Sequence, residues 1–311
     1  MNAKRIITQI KALSAEEREE LYTQLLREDP NLKNLSSLEN ANCEEELISN
    51  SLPDDTIIWR YLDFWKYEKM LETNSIHFTY LNCFDDPHEG LLSKSQIKRF
   101  LERRRLGDPS QIWLSLIALR DGNHSGALSC WAIKSHESYL LWKSYTNCNN
   151  SIVIKTTLGA LKASFQHGEG LCYRYMKVVY LDFEKCMTDS QEKILGDLIW
   201  AHKSIEYEDE NELRINLTSV NFAKTDLCSL KDRIVETKKG LAIPINIRTL
   251  VSELIVHPNA TDEFVSKVKE MHRTSEIPED IVMRSKILPK SVDLTEQYET
   301  ITETLIFKGE K

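Results

Sequence analysis

The stretch "TIIWRYLDFWKYEKMLETNSIHFTYL", residues 56–81, changes its pattern twice. Its first part, "TIIWRYL" (56–62), is β-branched and aromatic, which fits a strand buried in a sheet. Trp65–Thr73 then spaces its apolar residues as a short helix does. "SIHFTYL" (75–81) alternates as a strand must, because successive side chains point to opposite faces. One residue breaks the first strand: Arg60 lies between Trp59 and Tyr61. A lone guanidinium is costly to bury, so it belongs at a strand end or beside a carboxylate.

Downstream, strands and helices go on interleaving without a repeat. "NCFDDPHEG" (82–90) is rich in turn formers, and helices are expected over 92–106 and 109–119. Strands "GALSCWAI" (126–133) and "NSIVIKTT" (150–157) flank the helix "SYLLWKSYT" (138–146), and "LGALKASFQ" (158–166) is a further helix. "RYMKVVYLDF" (174–183) reads as a strand, "TDSQEKILGDLIWAHKSI" (188–205) as a helix and "RINLTSVNF" (214–222) as a strand. "GLAIPINI" (240–247), "SELIVHP" (252–258), a helix over 261–273 and "EDIVMRSKI" (279–287) complete the pattern. The expected fold is α+β: a mixed, mainly antiparallel, split or curved sheet with flanking helices, plus an N-terminal helical appendage.

Upstream, Ile6, Ile7, Ile10, Leu13, Leu21, Leu25 and Leu26 recur at near-helical spacing, and "SAEE" (14–17) is a capping box. These helices read as a pair docked on the main domain or as an arm that binds a partner. The polar run over 28–55 has few apolar residues, and the boundary falls near Leu52–Asp55. The chain thus divides into a helical segment (1–30), a polar linker (31–55) and an α+β main domain (56–311).

Of 311 residues, 41% are hydrophobic, enough for a packed core. Forty basic against 48 acidic residues leave a net charge of −8, which argues against general charge-driven nucleic-acid binding. Seven cysteines without a C-x-x-C pair suit reduced thiols and offer no zinc spacing. Ten glycines in the whole chain supply no dinucleotide loop of the Rossmann kind. With no apolar run of signal-peptide or membrane-helix length, the expectation is a cytoplasmic protein with no membrane contact.

The basic run "KRFLERRR" (98–105) reads as a solvated helix face or as a phosphate contact, with Glu102 interrupting it. Histidines are dispersed, so no metal is expected. Asp85–Asp86 before Pro87 is a turn signal. In "SIEYEDENELRI" (204–215), a strand reading puts Glu206, Glu208, Glu210, Glu212 and Arg214 on one face. A helical reading makes Glu210 and Arg214 an i, i+4 pair. Arg60, Ser129 in the strand beside Cys130 and Trp131, and the Glu210–Glu212 pair are residues a plain core would not use. Together they suit a phosphate-bearing ligand and a developing positive charge.

"WRYLDFWKYEKMLETNSIHFTYLNCFDDPHEG" (59–90) resembles the opening of a large bacterial family of unknown function, marked by a "YR…fNDPfE" segment. The family's "CFS…LMWxxY" block is matched by "LSCWAIKSHESYLLWKSY" (128–145). Its "K-x3-W-x-Y-E-x-E-x-R" block is matched by "KSIEYEDENELR" (203–214), with Tyr207 for Trp and Asp209 for Tyr. Asp85 stands where the family has Asn, and His88 where it has Phe. "GLAIPINIRTLVSELIVHPNATDEFVSKVKEM" (240–271) resembles a related branch, so the likeness spans about residues 56–288.

The order of these blocks is similar to the Arg–Ser–Glu arrangement of ADP-ribosyltransferases, with the Ser-Thr-Ser triplet reduced to Ser129-Cys130. That resemblance implies NAD as substrate and a protein or nucleic-acid acceptor, in a toxin or phage-defence effector. It implies Arg60 and the adjacent Tyr61 at the NAD phosphate or ribose, and Ser129 on the nicotinamide ribose. Trp142 or Tyr145 would stack the nicotinamide, Glu212 would face the oxocarbenium ion and Glu210 would orient the acceptor. Two other readings compete: a non-enzymatic nucleotide-binding or regulatory module, and a metal-dependent hydrolase or nuclease using Asp85, Asp86, Glu89 and the glutamate cluster.

Overall fold

The computed structural model describes residues 52–84, 86, 88–104, 127–165, 171–195, 198–219 and 234–287, with 17 and 299 as isolated positions. The N-terminal helices, the linker up to 51, the helix expected over 109–119 and Asp85 lie outside the described residues.

The chain runs β1 (Ile57–Asp63), α1 (Phe64–Thr73), β2 (Ser75–Tyr80), α2 (Lys94–Arg104), β3 (Ala127–Ile133), α3 (Tyr139–Tyr145), β4 (Ser151–Thr157) and α4 (Leu158–Ser164). It continues with β5 (Leu171–Lys177), β6 (Val179–Leu181), α5 (Asp189–Leu195), β7 (His202–Ser204) and β8 (Glu212–Ser219). The last described elements are β9 (Val235–Thr237), β10 (Gly240–Pro244), α6 (Ile247–Leu250), β11 (Glu253–Val256), α7 (Asp262–Thr274) and β12 (Val282–Arg284). The fold is α+β, as the pattern of strands and helices predicts.

A ten-stranded sheet has the path β12-β11-β4-β1-β3-β2-β10-β9, with β8 on β3 and β5 on β8. Every pairing in it is antiparallel except β11 with β12. The decisive feature is at β3. One of its edges pairs with β8 from Ala127 to Ala132. The other edge is shared: Ala127 and Leu128 pair with β2, whereas Ala132 and Ile133 pair with β1. Strands β1 and β2 therefore part beside Ser129–Trp131, and the sheet is split there.

One face of the sheet carries the main core, including Ile58, Leu62, Phe78, Trp131, Ile154, Leu213 and Ile215. On the other face, Leu128, Met176 and Trp200 form one cluster, and Trp59, Tyr61, Trp142 and Val153 another. Helix starts follow local chemistry: the side chains of Ser138, Thr157, Asn246 and Thr261 each accept a hydrogen bond from a backbone N–H of the first turn. Asn74, left-handed at φ 45°, ends α1 and turns the chain into β2. At Gly240 a Cβ would lie 1.9 Å from the Phe78 carbonyl oxygen, so only glycine lets β10 approach β2.

Three expectations are corrected. The helix expected over 188–205 holds only as Asp189–Leu195. Ile199, Trp200 and Ala201 are all buried, and His202–Ser204 form the fully buried strand β7, parallel to β6, so burial overrides the helical pattern. The strand expected over 174–183 is two strands, β5 and β6, separated at Val178. The shared strand face of Glu206, Glu208, Glu210, Glu212 and Arg214 does not form, because Ile205–Glu210 is a 3₁₀ turn. Asn211, at φ 45°, closes that turn and donates from its side-chain amide to the Ile133 carbonyl at 2.6 Å, which sets β8 against β3. A turn lets the acidic side chains fan out into solvent instead of repelling one another along one edge.

Candidate functional site

Arg60 points into the opening between β1 and β2. It donates to Ser129 Oγ at 2.6 Å and to the His77 carbonyl at 3.1 Å, so it bridges the parted strands. Its guanidinium also stands 5.6 Å from the Trp131 ring centroid. No carboxylate pairs with it among the described residues, and burial brings its pKa down to about 10. Ser129 is fully buried and accepts from both Arg60 and Trp131 Nε1, the latter at 3.2 Å. Its own hydroxyl hydrogen is left to donate.

Beyond β3, on the opposite face of the sheet, lies a buried charge network. Arg214 Nε donates to Glu212 Oε1 at 3.0 Å and Nη2 to Glu212 Oε2 at 3.2 Å. Its Nη1 and Nη2 grip the two oxygens of Glu89, and Nη1 also meets the Trp200 carbonyl at 2.9 Å. All five donors of a fully buried guanidinium are thus used. Lys203 Nζ lies 2.7 Å from Glu210, 3.7 Å from Glu212 and 3.9 Å from Glu89, with the Tyr207 ring centroid 4.4 Å away. Three carboxylates thus surround two cations.

Burial alone would raise the Glu212 pKa, but Arg214, Lys203 and a hydrogen bond from Cys130 bring it below the usual carboxylate range. Burial pushes Glu89 up against the pull of Arg214. Lys203 is raised: the loss of solvation is outweighed by Glu212 and Glu210. Burial and the neighbouring Glu210 and Glu212 hold the Tyr145 phenol neutral, and it hydrogen-bonds Glu210.

The expected site residues therefore fall into separate places. Arg60 and Ser129 meet. Glu210, Glu212 and Tyr145 meet. The two groups lie on opposite faces of the β3–β8 pair, since Ser129 alternates with Cys130, and it is Cys130 that reaches Glu212.

Two cofactor-binding expectations are corrected. Tyr61 is buried edge-on against Trp142 with centroids 5.1 Å apart, and its hydroxyl accepts from the Ser138 amide at 2.8 Å. Trp142 is 1% exposed and donates to Glu137 at 2.7 Å. Both pin α3 onto β1, so neither ring is free to stack a ligand. The reacting role expected of Glu212 is also closed off, because both its oxygens are held by Arg214 and it is 4% exposed. Glu210, reached by Lys203 and Tyr145, is the carboxylate nearer solvent.

Arg214 likewise takes both oxygens of Glu89, which removes that ligand from the metal-dependent reading. Asp86 is buried and accepts from the His88 amide at 2.9 Å. In the basic run, Lys98 and Arg99 face Glu102 and Glu192 at 4.0 and 3.8 Å. A separate cleft of about 310 Å³ lies between α2 and the segment Cys186–Glu192. Sequence reasoning placed Glu89 only in the metal reading and gave Cys130 no role; the signal for Glu89 was its place at the end of the "fNDPfE"-like segment.

Neither the scan against protein-family models nor the search of curated proteins matches this chain.

Proposed function

We propose that the chain is an NAD-consuming enzyme of the ADP-ribosyltransferase type, passing ADP-ribose to a protein or nucleic-acid acceptor. The observation that carries this reading is Arg60, a desolvated cation with no carboxylate partner among the described residues, held on Ser129 at the split. Such a guanidinium suits a phosphate or pyrophosphate ligand. Ser129 would donate its remaining hydrogen to a ribose oxygen.

The bond from ribose C1′ to the nicotinamide nitrogen then breaks, and its electron pair leaves with neutral nicotinamide. The sugar becomes an oxocarbenium-like cation, which a fixed carboxylate stabilises more than it stabilises the ground state. Glu210 fits that task, with Glu212 holding the network beneath it. The acceptor's lone pair forms the new bond to C1′, and its proton passes to solvent or to Glu210. No step calls on a metal. Such an activity would suit a toxin or phage-defence effector.

The test is nicotinamide release and label transfer from NAD to a cell extract, with and without a chelator. Chelator-resistant release that Glu210→Gln abolishes supports the reading; strict metal dependence with nucleic-acid cleavage overturns it. A non-enzymatic nucleotide-binding module is the second reading, favoured by the way Arg214 closes the network on itself. NAD binding by calorimetry without nicotinamide release would select it.

A further inference from the structure

The network contains one cation that the reaction above does not use. Lys203 comes from β7, a three-residue strand whose residues are all buried. It makes its shortest contact, 2.7 Å, with Glu210, the carboxylate nearer solvent. On its inner side it meets Glu212 of β8 at 3.7 Å and Glu89 of the segment after β2 at 3.9 Å. Arg214 stands behind both, Cys130 of β3 bonds Glu212, Tyr145 of α3 bonds Glu210, and the Tyr207 ring covers the ammonium at 4.4 Å.

We infer that Lys203 is a positioning residue: it fixes Glu210 in place, and Glu89 anchors Lys203 from behind. The inference rests on the reading of Glu210 as the carboxylate that meets the sugar. Its basis is arithmetic and geometry. Glu89, Glu210 and Glu212 carry three negative charges, and Arg214 has no donor left to give Glu210. Without Lys203, Glu210 would be held only by the Tyr145 hydroxyl and free to leave its place. Lys203 contacts Glu212 on the sheet face opposite Arg60 and Ser129, so its loss should fall on turnover and not on binding at Arg60.

The experiment compares Lys203→Met, Lys203→Arg and Glu89→Gln with the wild-type chain in nicotinamide release. Lys203→Met should lower kcat by about 100-fold, the scale of a misplaced acid–base group, with KM little changed. Lys203→Arg should restore most of the rate, and Glu89→Gln should show a smaller fall in kcat, again with KM little changed. A fall in rate that raises KM equally and is not rescued by arginine would mark a purely structural role and overturn the inference.

Carbon-13 NMR of labelled glutamate carboxyls provides a readout independent of activity. If the wild-type protein releases no nicotinamide, the proposed reaction fails, and the spectra alone decide this inference. A Glu210 carboxyl signal that moves in Lys203→Met and returns in Lys203→Arg supports it; an unchanged signal in Lys203→Met sinks it.

Discussion

Arg214 and Glu89 lie 125 residues apart in sequence and are joined by two charge-assisted hydrogen bonds in a site closed to solvent. Removing one partner of such a pair leaves an uncompensated buried charge. Arg214→Met should therefore destabilise the fold by about 3–5 kcal/mol. Glu89→Leu combined with Arg214→Met should cost less than the sum of the two single changes, because neither charge is then stranded. Urea denaturation of the four proteins in the cycle measures the coupling, and additivity would show that the pair does not act as a unit.

Asn216 sits two residues along the same face of β8, fully buried, with neither Oδ1 nor Nδ2 hydrogen-bonded among the described residues. Its cross-strand partners are Leu128 on β3 and Arg174 on β5. The Tyr173 hydroxyl on β5 is in the same condition, with its ring stacked on Phe165 at 4.3 Å. A buried polar group without a partner costs about 1–3 kcal/mol. Asn216→Leu and Tyr173→Phe should each leave stability unchanged or raise it by up to that amount. A clear fall in the thermal midpoint of either variant would contradict the assignment.

Arg60 should govern ligand affinity. A hydrogen bond from a charged group contributes about 1.5–3 kcal/mol, so Arg60→Met should weaken NAD binding by about 10–100-fold. Arg60→Lys should recover little, because an ammonium cannot span both Ser129 and the His77 carbonyl while presenting a fork to a phosphate. Calorimetric titration with NAD checks both variants, and equal affinity in Arg60→Met would remove Arg60 from the site.

Much of the fold was legible because local pattern and tertiary role agree. Residues 56–81 read as strand, helix and strand, and β1, α1 and β2 follow that reading closely. The segment from Trp200 to Glu210 was not legible in the same way. Its first half is buried throughout, so burial overrides a helix-like spacing, and its acidic half is a turn whose shape depends on Asn211 adopting a left-handed conformation. The site was half legible. Arg60, Ser129, Glu210 and Glu212 stand out as polar residues in apolar or crowded company. Their division between two faces follows from the pairing of β3 with β8, which no spacing within one strand reveals. Glu89 escaped because its partner is supplied by a strand far along the chain. Trp142 and Tyr61 misled because an aromatic ring that packs a helix onto a sheet looks, in sequence, like one that stacks a ligand.

Buried histidines should make the fold acid-sensitive well above the range where carboxylates titrate. His272 of α7 is fully buried, with Nε2 2.8 Å from the Tyr67 hydroxyl and Nδ1 3.0 Å from the Pro278 carbonyl. Nδ1 therefore carries the proton, and Nε2 accepts from the tyrosine. Burial lowers the pKa of His272, against the pull of the Pro278 carbonyl. His202, His77 and His257 are lowered as well, each by burial first, and Arg214 adds to the effect at His202. With a folded pKa below that of the unfolded chain, the unfolded state binds more protons once pH falls below about 6.5. The stability these histidines contribute is whole above that pH and is lost as pH falls toward their folded values. Glu212 and Asp63, whose pKa values are also lowered, add a second loss below the ordinary carboxylate range. Unfolding free energy from urea titrations should be level from about pH 8 to 7 and decline below about 6.5. His272→Gln should be less stable than wild type at pH 8 and decline less steeply on acidification. A wild-type profile that stays level down to about pH 5 would show that these histidines titrate alike in the folded and unfolded chains.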